Sequence, residues 1–439
     1  MGMAIFTNTE NCVEKSELYE VFVNGKELHV YRTPVSHFVL LSVNGEIEIE
    51  VKVLKKFDNF KIRPLSAGIK GYRKNNTVSF KVNMPHKLSF EIDNDLPNPL
   101  FILMNPVENI KDVDIYKEVI RFEGGKVHEI GLLELKSGQM VYIEEGAVVK
   151  GIVKAKEANN IAIMGRGILD AIGCHNFDET VHNKRRPRTV ELIGCKNVFL
   201  EGITVINGPS WHIVPVGCED VVIKNVNIIT FTGTGDGIDL VGCKNVLIEN
   251  CFIRSKDDCI AIKAMEYDGN YGTQIVKDIC VKDCVFWNAE WGNALEIGYE
   301  TRTEEIYNIT FKNCDIIHCE FEGYQSGATL SIHNGDRAFI HDVLYQDIRV
   351  EDSQEKLIDL KILVAQYTRD QERGHIKNIY FKDINVVDGS FPVSIIRGFD
   401  AEHMVENVII DNLCAFGKRI SNSIDGKMVI ELSRNVKFI

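Results

Sequence analysis

Nine segments of one pattern recur along this chain, and that recurrence limits its fold more than any other feature. They are NNIAIMGRGILDA (159–171), CKNVFLEGITVIN (195–207), CEDVVIKNVNIIT (218–230), CKNVLIENCFIRS (243–255), VKDICVKDCVFWN (276–288), IYNITFKNCDIIH (306–318), IHDVLYQDIRVED (340–352), IKNIYFKDINVVD (376–388) and VENVIIDNLCAFG (405–417). Each reads Asn or Asp, apolar-x-apolar, two polar residues, then apolar-x-apolar. A period of 2 excludes an amphipathic helix and fits two short strands joined by a bend. The steps from Asn197 to Asp220 and from Asp220 to Asn245 are 23 and 25 residues, and later steps are longer, as loop insertions on a constant coil would make them. Repeats of this length mean a solenoid in which no unit buries its own apolar face and stacking does so. The expected fold is all-β, a right-handed parallel β-helix with rungs about 4.8 Å apart. Asn and Asp at the bends suit left-handed backbone and side-chain ladders.

Residues 1–110 differ. Short β-like runs such as YEVFVNGKELHVYR and FVLLSVNGEIEIEVKVL alternate with turn signals, and Asn24-Gly25 and Asn44-Gly45 are hairpin dipeptides. This predicts a small N-terminal antiparallel β-sandwich, with PNPLFILMNP (97–106) as its exit and a β-helix over 111–439.

A third strand per coil carries the chemistry: GDGIDLV (235–241), DDCIAIK (257–263), GNALEIG (292–298) and GATLSIH (327–333). Aligned on Ile238, Ile260, Leu295 and Leu330, these residues point inward, as do Leu240, Ile262, Ile297 and Ile332. Asp236 and Asp258 then occupy equivalent places 22 residues apart, Asp257 sits beside Asp258, and Asn293 and Ala328 continue the column. Three crowded carboxylates raise at least one pKa, which suits a general acid. Paired carboxylates are what glycosidases use, inverting ones with a gap of about 6.5–9.5 Å for a water. The competing reading is a set of solvated caps or a Ca²⁺ site.

Other residues are placed on the same face. Trp211 and His212 precede Asp236 by one coil, with Trp211 a sugar-stacking candidate; Trp291 and Asn293 follow one coil later. Asp239, Glu296, Ser331 and His333 point outward, and His333, Asp336 and Arg337 are expected at the far end of a groove. The KRRPR run (184–188) is read as a solvated loop, with a substrate-anion contact as the alternative.

The net charge of −13 argues against a nucleic-acid partner, and no apolar run is long enough for a membrane span. The N-terminal residues lack a signal-peptide pattern. The 12 Cys recur inside strand-like segments without zinc spacing, so buried free thiols, a reducing cytoplasmic setting and no metal or cofactor are expected. Oligomeric state is not legible.

RPRTVELIGCKNVFLEGITVINGPSWHIVP and GTGDGIDLVGCKNVLIENCFIRSKDDCIAIKA resemble the polygalacturonase-like glycoside hydrolase family 28, over about residues 140–420. In that family's pattern N-T-D is followed about 21 residues later by G/Q-D-D, then by G-H-G and R-I-K. Asp236 matches the first aspartate, and Asp257 and Asp258 match the pair. The resemblance implies an inverting hydrolase of α-linked poly- or oligosaccharides, with Asp257 as general acid and Asp236 and Asp258 activating water. The G-H-G place reads Gly292-Asn293-Ala294 and the R-I-K place Ser331-Ile332-His333. The front half, with FEGGKVHEIGLLELKSGQMVYIEEGAVVKG, is similar to the dextranase and isopullulanase group, family 49, which acts on neutral α-glucans. A non-catalytic carbohydrate-binding solenoid and a β-helix lyase or epimerase are the alternatives.

Overall fold

The computed structural model describes residues 3–5, 14–108, 115–174, 186–320 and 327–439. Twenty-nine strands, from Glu118–Phe122 to Ser433–Phe438, form one continuous sheet wound as a right-handed parallel β-helix. Corresponding strands of successive coils pair in parallel and in register. Lys196–Glu201, Glu219–Lys224 and Lys244–Glu249 are three such rungs.

The bend residues do what their type predicts. Asn197, Asp220 and Asn245 have φ of 53°, 58° and 55°, a region that short polar side chains tolerate and branched ones avoid. They also bond between rungs: Asn197 Nδ2 donates to Asn160 Oδ1 at 3.1 Å and Asn308 Nδ2 to Asp278 Oδ1 at 2.6 Å. A second ladder runs parallel, with Asn250 Nδ2 donating to Asn225 Oδ1 at 2.6 Å and Asn412 Nδ2 to Asp383 Oδ1 at 2.7 Å. Inside, like stacks on like. Ile238, Ile260, Leu295, Leu330 and Ile358 make one fully buried column. Phe311, Tyr345 and Phe381 make another, with ring centroids 4.9 Å apart at each step. The described cysteines are all free and mostly buried, several of them in this core.

The N-terminal sandwich departs from the sequence reading in three ways. Asn24-Gly25 closes the expected hairpin, with Val23 opposite Lys26 and both turn residues at positive φ. Asn44-Gly45 does not. Ser36–Asn44 and Ile47–Val53 lie in different sheets, so this turn is a crossing between layers. The dipeptide permits the reversal, but strand partners are chosen by the sheets. Nor is the sandwich wholly antiparallel, since Leu100–Pro106 runs parallel to Ser36–Asn44. The third departure is Leu100–Pro106 itself, expected as an exit and found as an interior strand of its sheet. Leu100, Ile102 and Met104 face the sandwich core, while Phe101 and Leu103 face the coils. A strand buried on both faces reads as an unbroken apolar run, which explains FILM.

Phe101 packs against Phe252 and Trp287, at centroid distances of 4.7 and 5.7 Å. A buried charge network closes the same interface. Arg63 binds Glu91 at 3.1 Å and Glu351 at 2.5 Å, and His318 joins Glu91 at 3.1 Å to Asp352 at 3.0 Å. Phe101→Ala should therefore cost about 3–5 kcal/mol, read as a lower denaturant midpoint of the full chain. A loss under about 1 kcal/mol would show that the two units do not stabilise each other through this contact.

Candidate active site

The three aspartates converge as the register requires. Ile238 pairs with Ile260 and Ile260 with Leu295, so Asp236, Asp258 and Asn293 stand on successive rungs of one outer column. One oxygen from each of Asp236, Asp257 and Asp258 lies within 4.8 Å of the others. The figure is the separation of single facing oxygens, which parallel rungs one coil apart bring together. A spacing this short could also suit a divalent cation, but an ammonium already serves the cluster. Lys263 Nζ lies 3.0 Å from Asp236 Oδ2, 2.8 Å from Asp239 Oδ1 and 3.9 Å from Asp258 Oδ2.

The acids are not equivalent. Asp236 is held by Lys263 through Oδ2, while its buried Oδ1 has no hydrogen-bond partner among the described residues. Asp258 Oδ1 accepts from the Asn293 backbone N–H at 2.8 Å and from its Nδ2 at 2.9 Å. Burial and the charge of Asp236 nonetheless push Asp258 up to about 8. Asp257 makes one local bond, its Oδ1 accepting from the Asp258 N–H at 3.0 Å. Burial, then Asp236 and Asp258, hold its carboxyl well above the usual carboxylate range. Gly292 lets the next rung approach. Its φ is 73°, and a Cβ there would sit 2.5 Å from Asp257 Oδ1.

Around the acids is a cavity of about 340 Å³, lined on its other sides by Arg188, Trp211, Trp291, Tyr299 and Tyr367 among others. Trp291 is 41% exposed and presents an aromatic surface at the rim. Trp211 lines the cavity too, but Arg188 and Lys263 lie 4.0 and 4.1 Å from its ring centroid. Its ring orders two cations and is not a bare sugar platform.

Several expected contacts are corrected. His212 is fully buried and bonds backbone, accepting from the Gly208 N–H at 3.0 Å and meeting the Asp236 carbonyl at 3.1 Å. It shapes the turn before Asp236 and does not reach the cavity. Asp239 is buried under Lys263, and its carboxyl is raised well above normal by burial and then by Asp236. Asn293 does line the cavity, with its side chain engaged on both sides: Nδ2 donates to Asp258 and Oδ1 accepts from the Ala328 N–H at 2.9 Å. Glu296 and His333 do point away from the core, but they are sealed in a network. His333 bonds Glu296 at 3.0 Å and Asp359 at 3.2 Å, with Tyr299 stacked on its ring at 4.5 Å. Arg337 pairs with Asp370 at 2.8 Å and Glu304 at 3.4 Å, outside the cavity lining. Its neighbour Asp336 accepts from the Arg369 and Asp370 N–H groups at 2.7 and 2.9 Å. Together they fix the loop that brings Tyr367 to the site. An outward side chain is exposed only if no later loop covers it, and here one does.

Sequence reasoning passed over Lys263, Tyr299, Glu300 and Tyr367, and it read the KRRPR run as a solvated loop with a substrate-anion contact as the alternative. Arg185 lies outside the described residues, Arg186 is exposed at the cavity and Arg188 is buried in its wall. The signal for Lys263 was present: with Ile260 and Ile262 inward, residue 263 must face outward beside the acids. Tyr367 left no such signal, because it arrives on a loop from a distant coil.

Comparison with known proteins agrees with this architecture. The sequence pattern of glycosyl hydrolases family 28 matches residues 127–422. A probable polygalacturonase of Arabidopsis thaliana is 26% identical over 204 residues, 46% of this chain and 41% of that protein. A polygalacturonase of Juniperus ashei is 25% identical over 237 residues, 51% of this chain and 44% of that protein. The chain thus spans less than half the length of these two relatives. Among solved structures, Dex49A from Penicillium minioluteum superposes with a TM-score of 0.74 at 14% identity, covering 97% of this chain and 95% of its own. A family 28 exopolygalacturonase from Yersinia enterocolitica gives 0.58 at 15% identity, covering 99% and 96%. These two likenesses show the fold, and both extend over nearly the whole chain. With two-thirds of its length matching the family pattern, the chain belongs to glycosyl hydrolases family 28.

Proposed function

We propose that the chain hydrolyses an α-linked poly- or oligosaccharide, pectin-like or α-glucan, with inversion at the anomeric carbon. The observation that carries this reading is the meeting of Asp236, Asp257 and Asp258 within 4.8 Å in the wall of one cavity. Family membership supports it.

The roles follow from the partners. Asp257 and Asp258 both have raised pKa values, but Asp257 has neither a cation nor the Asn293 amide holding it, so it carries the proton that the leaving glycosidic oxygen takes. Asp236 lies against Lys263 through one oxygen and has a second, buried oxygen without a partner among the described residues, which suits it to accept a proton from water. Asp258, oriented by both N–H donors of Asn293, holds that water from the other side. Attack from the face opposite the leaving group then inverts the configuration. Lys263 offsets the repulsion that three close carboxylates would otherwise generate. The place filled by a histidine in the family pattern is Asn293, which supports Asp258 through neutral hydrogen bonds.

Asp257→Asn should lower turnover by about 10²–10⁴-fold on a panel of pectic and α-glucan chains, with the circular-dichroism spectrum unchanged. Near-normal rates would remove Asp257 from the acid role, and no hydrolysis of any glycan by the wild type would favour a binding solenoid. An unsaturated product absorbing in the ultraviolet would favour a lyase. Proton NMR of the first product should show the anomer opposite to the substrate linkage; retained configuration would make one aspartate a nucleophile.

Stability should report the same crowding. Asp258 is raised in the fold to about 8 from an unfolded value near 3.9, so its contribution is fully present below about pH 4 and is lost as pH rises through 8. Asp258→Asn should thus melt close to the wild type at pH 4 and gain on it progressively by pH 9, by roughly 1–3 kcal/mol. An equal shift at both pH values would refute the raised carboxyl.

A further inference from the structure

We propose that Arg188 is the specificity-determining residue of this site, holding an anionic substituent, a carboxylate or a sulfate, on a sugar next to the bond that is cut. The inference rests on the hydrolytic reading above and adds the chemistry of the substrate.

Register places the residue. Val190 pairs with Ile213 and Ile213 with Ile238, so Arg188, Trp211 and Asp236 stand on three successive rungs. Two rungs are about 10 Å, so the guanidinium addresses a neighbouring sugar and not the reacting centre. Arg188 is only 8% exposed yet lines the cavity. Its contacts among the described residues are neutral. It donates to Ser210 Oγ and, from Nε at 3.4 Å, to the Tyr267 hydroxyl, and it lies over the Trp211 ring.

The nearby acids are engaged elsewhere. Glu191 takes the Tyr267 hydroxyl at 2.6 Å and Lys154 at 3.3 Å, while Asp236 and Asp239 share Lys263. Among the described residues Arg188 has no ion-pair partner. A buried guanidinium without a counter-charge is costly to the fold. Arginine is also the side chain whose rigid fork matches carboxylate and sulfate oxygens. Trp211, Ser210 and Tyr267 hold the fork in place before any ligand arrives, which lowers the ordering cost of binding. Arg186, exposed at the same cavity, adds positive field at the entrance.

The test uses the full chain in three forms, Asp257→Asn, Asp257→Asn with Arg188→Gln, and Asp257→Asn with Arg188→Lys. Binding is measured by calorimetry with oligogalacturonate, a sulfated neutral glucan oligosaccharide and its unsulfated form. Arg188→Gln should weaken at least one anionic ligand by about 10–100-fold and leave the neutral one unchanged, with Arg188→Lys intermediate. The arm that loses affinity identifies carboxylate or sulfate. With Asp257 intact, Arg188→Gln should raise KM for that ligand while kcat stays within about threefold. Equal affinity of all three forms for both anions, or the neutral glucan as the tightest ligand, would overturn the proposal. If the wild type hydrolyses nothing, the hydrolytic reading fails by itself, because the calorimetry reports on Arg188 without turnover.

Discussion

Parallel pairing between coils is the constraint from which everything else in this protein follows. A rung spacing of about 4.8 Å obliges residues one coil apart to stand side by side, whatever their chemistry. In the interior this is favourable, and it produces the Ile238–Ile260–Leu295–Leu330 column and the Phe311–Tyr345–Phe381 stack. At the bends it aligns amide side chains that bond from rung to rung. On the outer face it forces Asp236 and Asp258 together, an arrangement that repulsion opposes. The energy that holds the acids in place comes from the apolar column directly beneath them.

Lys263 is what makes that crowding tolerable. Its ammonium touches Asp236 and Asp239 and approaches Asp258; burial pulls its pKa down, but the charges of these acids outweigh that and keep it charged. Because the cation sits closer to Asp236 than to Asp258, the cluster is electrically uneven. Asp257 and Asp258, further from the cation, have their carboxyl pKa values raised by burial and by Asp236. Differences in protonation among like groups are the means by which carboxylates divide acid and base work. The sealed Glu296–His333–Asp359 network further along the strand shows the same logic, a buried charge tolerated only with its partner in contact.

The N-terminal sandwich is fastened to the coils by both kinds of force. Phe101 and Leu103 enter an apolar seam with Phe252 and Trp287, and Arg63 and His318 bridge acids from both units. Burial by itself would lower the pKa of His318, but Glu91 and Asp352 push it up to about 9, so the bridge is charged at neutral pH.

From the sequence by itself came the solenoid, its inward columns, the left-handed bends and the placement of Asp236, Asp257, Asp258 and Asn293 on adjacent rungs. A side-chain period of 2 and a constant coil lengthened by loop insertions determine all of these, since they are properties of local alternation and counting. The tertiary structure decided the rest. Asn44-Gly45 turned out to join two sheets and FILM to be an interior strand, because partner choice is not a local property. His212, Glu296 and His333 were removed from the surface, and Tyr367 was delivered to the cavity, by loops whose paths depend on what they pack against. Arg188 became part of the wall for the same reason: a basic run is solvated or buried according to its neighbours in space, and those neighbours, Ser210, Trp211 and Tyr267, lie between 22 and 79 residues away along the chain.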